Sequence, residues 1–318
     1  MKIVIPGGTG QVGTILARYF HKTGHDVVVF GRHPVKAPWR VLDWDAKTMG
    51  DWIKEIELAD AVINLAGRNV NCRYTLENRR LIMESRVQAT QVIGKAISES
   101  SRPPRVWLQA GTATIYSHRY DSPNDEATGL IGGSEPDAPL KWRFSIEVAQ
   151  AWERAAQDAM TPHTRKVLMR SAMIMSPDAG GIFDTLLRLV RFGLGGRVGS
   201  GRQYVSWMHD QDFVNAILWL IDNDAVEGVV NLAAPHPLPY SEFMRVLRAE
   251  WGIPIGLPAT KWMLEIGALF LQTESELVLK SRRVIPGRLV QSGFRFQFPS
   301  WVDAARDLCR RSLKGNKA

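Results

Sequence analysis

The sequence predicts an α/β fold built on a parallel sheet with helices on both faces, followed by a smaller lobe. Three observations predict it. Short runs rich in Val and Ile alternate with amphipathic stretches over the first half of the 318 residues. Glycines at positions 7, 10 and 13 follow directly on the first such run. Beyond about residue 176 the alternation breaks down and proline punctuates the chain. Apolar runs without a polar face indicate strands covered on both sides, which is how parallel sheets occur.

The elements follow in order. KIVIP reads as the first strand and QVGTILARYFHKTG as a helix closed by Gly24. DVVVFGR and WRVLDW are strands two and three, DWIKEIELA a short helix and DAVINLAG strand four. TLENRRLIMESRVQATQVIGKAISES is one long helix or two joined ones. RVWLQAGTA is strand five, 121–140 a polar loop, RFSIEVAQAWERAAQDAM a helix, and RKVLMRSAMIM strand six as a single run. GGIFDTLLRLVRFGLGG and HDQDFVNAILWLIDN are helices, and GVVNLAA returns to the main sheet. The expected organisation is a Rossmann-type doubly wound nucleotide-binding domain (1–175 and 206–235) with a small C-terminal substrate-binding lobe (176–205 and 236–300). A C-terminal helix and frayed basic tail occupy 301–318.

Composition narrows the function. The formal charge is +8, but the arginines are spread along the chain, so the reading is attraction to a phosphorylated cofactor and not a nucleic-acid partner. The two cysteines, Cys72 and Cys309, have no metal-ligand or redox spacing, and no metal site is expected. His209 and Asp212 read as a structural hydrogen bond at a helix start. Without a signal-like start or an apolar run of membrane-spanning length, the expectation is a cytoplasmic protein with no membrane partner.

The glycine-rich turn carries the first chemical signal. Between a strand and a helix, glycine lets the backbone approach a pyrophosphate, and the helix start offers N–H groups and partial positive charge. Gly7, Thr9, Gly10, Gln11, Val12 and Gly13 are therefore cofactor-binding candidates. Strand two ends in Arg32 where NAD-preferring folds place a carboxylate. A guanidinium suits a 2′-phosphate, so NADP(H) is expected over NAD(H).

The motifs GGTGQVG (7–13), INLAG (63–67), ESR (84–86), GTATIY (111–116), GLGGRVGSGRQYVSWMH (193–209) and RVIPGRLVQSGFRF (283–296) extend over almost the whole chain. With them the sequence resembles the extended short-chain dehydrogenase/reductase superfamily (NAD-dependent epimerases and dehydratases), within it an atypical, YfcH-like epimerase-family branch. The resemblance implies that Asn64, Ala66 and Gly67 line the cofactor, the alternative being strand-end packing. It also places Asp43 near the adenine amino group unless it caps the next helix.

Ordinary members carry a Ser/Thr after strand five and a Tyr-x-x-x-Lys on the next helix. Residues four apart share a helix face, so the lysine charge lowers the tyrosine pKa for proton exchange. Thr112 fits the first position, but the helix aligns Ser145 with the tyrosine and Ala149 with the lysine. The usual Asn of the long helix is replaced by Arg86. Tyr116 is a candidate proton donor or a pocket wall, with Lys141 and Ser145 as weaker candidates. On the substrate side, Arg202 would neutralise an anionic group, with Tyr204 or Trp207 stacking on it; the alternative is internal pairing and lobe packing. Trp142 is a candidate pocket wall. The expected function is an atypical NADP(H)-dependent oxidoreductase acting on a small carbonyl or sugar-derived compound. A cofactor-binding sensor without turnover is the alternative and a nucleotide-sugar epimerase the third reading. The resemblance also allows a homodimer through the 76–98 and 143–160 helices.

Overall fold

The computed structural model describes residues 1–33, 35–136, 138–259 and 276–315. Seven parallel strands form the central sheet: β1 (Lys2–Pro6), β2 (Asp26–Gly31), β3 (Arg40–Asp43), β4 (Ala61–Asn64), β5 (Val106–Thr112), β6 (Arg165–Ser171) and β10 (Gly228–Leu232). Their order is β10-β6-β5-β4-β1-β2-β3, so the winding reverses between β1 and β4. In open α/β sheets a ligand binds at the carboxyl ends of the strands at that reversal.

Side-chain alternation explains the two layers. Ile3, Ile5, Val27 and Val29 face one core, which receives Phe20 of α1 (Gln11–Lys22) and Ile217 of α6 (Asp210–Asp222). Val4, Val28 and Phe30 face the other, filled by Trp44, Ile56 of α2 (Ile53–Glu57), Ile93 of α3 (Leu76–Ser98) and Ala156 of α4 (Arg143–Gln157). The segment expected as one long or two joined helices is the single helix α3, which Thr75 caps by accepting a hydrogen bond from the Asn78 N–H.

The expected single strand over 165–175 is two strands. The Ala172 N–H still donates to Leu232 O, but the Met173 N–H donates to Ser206 O. From there β7 (Met173–Met175) leaves the sheet and pairs with β9 (Trp207–His209). No local periodicity marks such a transfer, because the partner lies thirty-odd residues away.

A second core gathers Phe183 and Leu187 of α5 (Ile182–Arg191), Trp207, Phe243 of α7 (Tyr240–Trp251), and Trp301 and Leu308 of α10 (Trp301–Gly315). Phe243 and Trp301 stack at 3.9 Å between ring centroids. The antiparallel pair β8 (Tyr204–Val205) and β11 (Leu238–Pro239) edges this core. The short helices α8 (Glu276–Leu279) and α9 (Gly287–Gln291) lead back toward the sheet, where Leu289 and Phe294 join its core.

The C-terminal helix does not fray where the basic run begins. Arg311 donates to Asp210 at 2.6 Å and ion-pairs with Asp307, tying the helix to α6. His209 caps α6, accepting from the Gln211 N–H on Nδ1. Asp212 plays a different part from the one expected, receiving the Gln297 and Phe298 N–H groups at 2.7 and 2.9 Å.

Candidate functional site

The glycine-rich turn lies against the end of β4. Gly7 has φ +77°, and a Cβ there would sit 2.6 Å from Ala66 Cα, so only glycine fits the turn. A Cβ on Gly13 would meet Gly8 Cα at 2.3 Å, which fixes the close approach of α1 to the turn after β1. Gly10 is different: its Cβ would have nothing nearer than 3.7 Å, leaving open space where the helix begins. No side chain among the described residues caps α1, and its first turn holds no acidic residue. Helix starts leave N–H groups without intrahelical partners, which favours an anion here.

A cleft of about 680 Å³ opens over this turn, lined by Gly7, Thr9, Gly10, Arg32, Asp43 and Trp44 among others. Ala66, Gly67, Arg68, Ser85 and Gln88 form the opposite wall. Two polar atoms of its lining residues, Trp44 Nε1 and Gln88 Oε1, are buried with no hydrogen-bond partner among the described residues. Gln11 Nε2, at the start of α1 and packed on Gly181 outside the cleft, is likewise buried with no partner among the described residues. Buried polar groups normally find partners, so Trp44 and Gln88 make the cleft fit a polar ligand such as a dinucleotide.

Arg32 stands exposed on the cleft rim and makes no ion pair among the described residues. Lys47 lies on the same rim. Next to Lys47 in the chain, Ala46 adopts φ +64°, a conformation that non-glycine residues rarely take. It is held by Asp45, which receives the Lys47 and Thr48 N–H groups at 2.9 and 3.0 Å. Asp43 is exposed on the cleft at the end of β3.

The other expected cofactor contacts divide. Ala66 and Gly67 line the cleft, but Asn64 is fully buried and does not. Its Nδ2 donates to Gln109 Oε1 at 2.9 Å while its Oδ1 accepts the Ala66 N–H at 3.1 Å, so it shapes the strand end from within. Gln11 and Val12 stand in the first turn of α1 and do not line the cleft, Val12 packing its side chain on the sheet core. Arg86 lies behind the wall: its Cζ would be 3.2 Å from a Cβ on Gly67, and it stacks over Trp152 at 5.0 Å. Burial lowers its pKa to about 10, which leaves it protonated at neutral pH.

At the end of β5 the geometry departs from expectation. Thr112 is partly exposed, its hydroxyl accepting the Thr114 N–H at 3.2 Å. Tyr116, the expected proton donor, is only 2% exposed. Its hydroxyl donates to Asn231 Oδ1 at 3.0 Å, and the Arg170 guanidinium covers its ring at 4.9 Å. Arg170 in turn forms a buried, two-pronged pair with Glu153 at 2.7 and 2.8 Å. Burial raises the Tyr116 pKa, opposite to what a proton donor at neutral pH needs. Tyr116 is therefore a core residue.

Ser145, where the tyrosine was expected, donates to Glu276 Oε2 at 2.7 Å, and Ala149 is buried beside it. Lys280, only 2% exposed, donates to Thr114 O at 2.8 Å and stands 3.9 Å from Glu276. Arg282 Nε donates to Thr114 Oγ1 at 3.1 Å. A C-terminal segment thus reaches the corner between β5 and α4. A groove nearby is lined by Met173, Ile182, Leu186, Tyr204, Lys280 and Arg282, among others.

A family model described as the NAD dependent epimerase/dehydratase family matches residues 3–233. The chain belongs to that family. A second model, described as a domain of unknown function (DUF1731), matches residues 259–308. The epimerase family protein SDR39U1 of Bos taurus is 28% identical over 97% of this chain and 99% of its own length. An epimerase family protein of Staphylococcus aureus strain MW2 is 30% identical over 96% and 98%. The crystal structure of human SDR39U1 with NADPH superposes with a TM-score of 0.82 at 26% identity, covering 98% of this chain and 99% of that one.

The remaining substrate candidates separate by burial. Trp207 is fully buried, tilted against Trp301 at 5.0 Å, and donates Nε1 to His236 O, so it packs the lobe and cannot stack on a ligand. Arg202 is exposed and does not line the groove. Tyr204 does line it, with the Arg283 guanidinium over its ring at 4.5 Å. Trp142 walls a separate cavity beside Gly133 and Ile146 that Lys280 also reaches. Sequence reasoning missed Glu276, Lys280 and Arg282. Their one visible signal is an acid and a base four residues apart in the otherwise apolar ELVLK.

Proposed function

We propose that this chain is an NADP(H)-dependent oxidoreductase of its family, acting on a small carbonyl or sugar-derived compound through an atypical donor set. The observation that carries the reading is the uncapped helix start beneath an open Gly10, with Arg32 on the same rim making no ion pair among the described residues. The NADPH in the human SDR39U1 crystal structure supports the same cofactor here. Gly7, Thr9, Gly10 and the first turn of α1 would hold the diphosphate, and Arg32 the 2′-phosphate. Asp43 would meet the adenine amino group and Gln88 a further polar edge. When bound, the cofactor supplies or accepts hydride. Thr112, at the end of β5, orients the substrate oxygen. A homodimer through α3 and α4 belongs to the same proposal and is tested by light scattering.

The test is loss of NADPH absorbance with a panel of aldehydes and ketones. Turnover that slows in Thr112→Ala supports the reading. Tight NADPH binding with no turnover across the panel would contradict it in favour of a cofactor-binding sensor. That second reading is favoured by one observation, the serine and alanine at positions 145 and 149 where the proton relay is expected.

A further inference from the structure

We propose that Lys47, presented by the turn at Ala46, is a second cation that acts with Arg32 to select the 2′-phosphate of NADP(H) over the 2′-hydroxyl of NAD(H). The inference rests on the cofactor reading and deepens it.

The starting observation lies in the backbone. Ala46 is the one non-glycine residue with positive φ among the described residues, and it lines the cleft over the glycine turn. Left-handed backbone is unfavourable for a residue with a Cβ and persists only where the surroundings impose it. Here both ends of the turn are anchored. Trp44 is 4% exposed, its N–H donates to Gly31 O at 2.9 Å, and its ring centroid lies 5.7 Å from those of Phe30 and Trp52. At the other end, Trp52 Nε1 donates to Thr48 O at 3.0 Å. Between these anchors the Asp45 carboxylate receives the Lys47 N–H, the Thr48 N–H and the Thr48 hydroxyl at 2.9, 3.0 and 2.7 Å. The turn is fixed by the fold, so little backbone ordering remains to oppose binding.

The turn adds a second positive charge to the cleft. Gly31 pairs with Asp43 across β2 and β3, so Arg32 and Trp44 leave neighbouring strand ends, and Lys47 follows three residues later. Arg32 and Lys47 both line the cleft, both are exposed, and neither makes an ion pair among the described residues. Of the carboxylates that line the cleft, Asp45 is occupied by its own turn, Glu84 pairs with Arg80 at 2.7 Å, and Asp43 is exposed at the end of β3. A phosphate monoester carries roughly −1.5 to −2 charge at neutral pH, more than one guanidinium balances. Arginine supplies forked hydrogen bonds and lysine a compact charge. The 2′-hydroxyl of NAD(H) carries no charge, so the contribution of Lys47 falls on the choice between cofactors.

The test is calorimetric titration of wild type, Lys47→Met and Lys47→Arg with NADPH, NADH and adenosine 2′,5′-bisphosphate, at low and at high salt. Lys47→Met should bind NADPH and the bisphosphate about tenfold more weakly and NADH as tightly as wild type. Its NADPH affinity should also fall less steeply with salt, because one exposed charge contact is gone. Lys47→Arg keeps the charge and should retain the preference. A Lys47→Met protein that keeps the wild-type ratio of NADPH to NADH affinity, or that loses affinity for both equally, would overturn the assignment and leave the cofactor reading standing. Wild type that binds none of the three ligands would remove the cofactor reading, and this inference with it.

Discussion

The cleft over β1 and the corner at the end of β5 are built by opposite means. The cleft is made of sequence-local parts: a strand, a glycine turn and a helix start within the first thirteen residues, completed by the ends of β2 and β4. The corner is made of distant ones, since Ser145 meets Glu276 across 131 positions and Lys280 meets Thr114 across 166. The difference teaches where function can be read from a sequence. A phosphate cradle depends on backbone shape, which glycine spacing reports. A proton relay depends on which side chains the fold brings together, which spacing does not report.

The sharpest way to break this contrast is to destroy the corner's support and ask whether the cleft survives. Glu153→Ala leaves Arg170 a buried cation without its carboxylate, and should destabilise the fold by about 3–5 kcal/mol in denaturant titrations. NADPH affinity measured below the unfolding transition should not change. Loss of affinity in proportion to stability would show that the two regions are one unit.

Arg32→Asp addresses the cleft alone. Charge-assisted contacts to a phosphate contribute roughly 1.5–3 kcal/mol, so NADPH affinity should fall about ten- to a hundredfold while NADH affinity holds. Competition binding with both cofactors checks this. Ser145→Ala returns to the corner with a smaller effect: it removes one hydrogen bond to Glu276 and should lower stability by about 1 kcal/mol, read in urea midpoints.

The smallest expected effect is a pH dependence away from both regions. Burial holds the His209 pKa below its usual 6.5, with Asp210 and Asp307 pulling it up and Arg311 pushing it down. The unfolded state therefore binds more protons than the folded one just below pH 6.5, so stability is full above that pH and declines as pH falls through the window down to the folded pKa. Melting temperatures from pH 8 to pH 5 should fall less steeply in His209→Gln than in wild type. Parallel curves would contradict the assignment.

Most of the sheet was legible because Val- and Ile-rich strands such as VVVF carry their burial in their own composition. The tight turn at Gly7 and Gly13 was legible from glycine spacing, and the place of Arg32 on the cleft rim from the end of strand two. Asn64 was placed at the right strand end, but its buried bond to Gln109 could not be read from INLAG. Tyr116 misled because four-residue spacing after Thr112 suggests a shared face, whereas a short 3-10 turn at Ala113–Ile115 sends its side chain into the core under Arg170. Trp207 misled because aromatic residues in a polar-flanked segment fit a ligand wall and a lobe core equally well until Trp301 is placed. In each case the deciding partner is distant in sequence.

The measurement that bears most directly on the whole account is calorimetric titration of the wild-type chain with NADPH and with NADH. Saturable binding of NADPH at one site per chain, at least tenfold tighter than NADH, is the expected result. No heat with either cofactor, or equal affinity for both, would contradict the reading of the glycine turn and Arg32 on which the account stands.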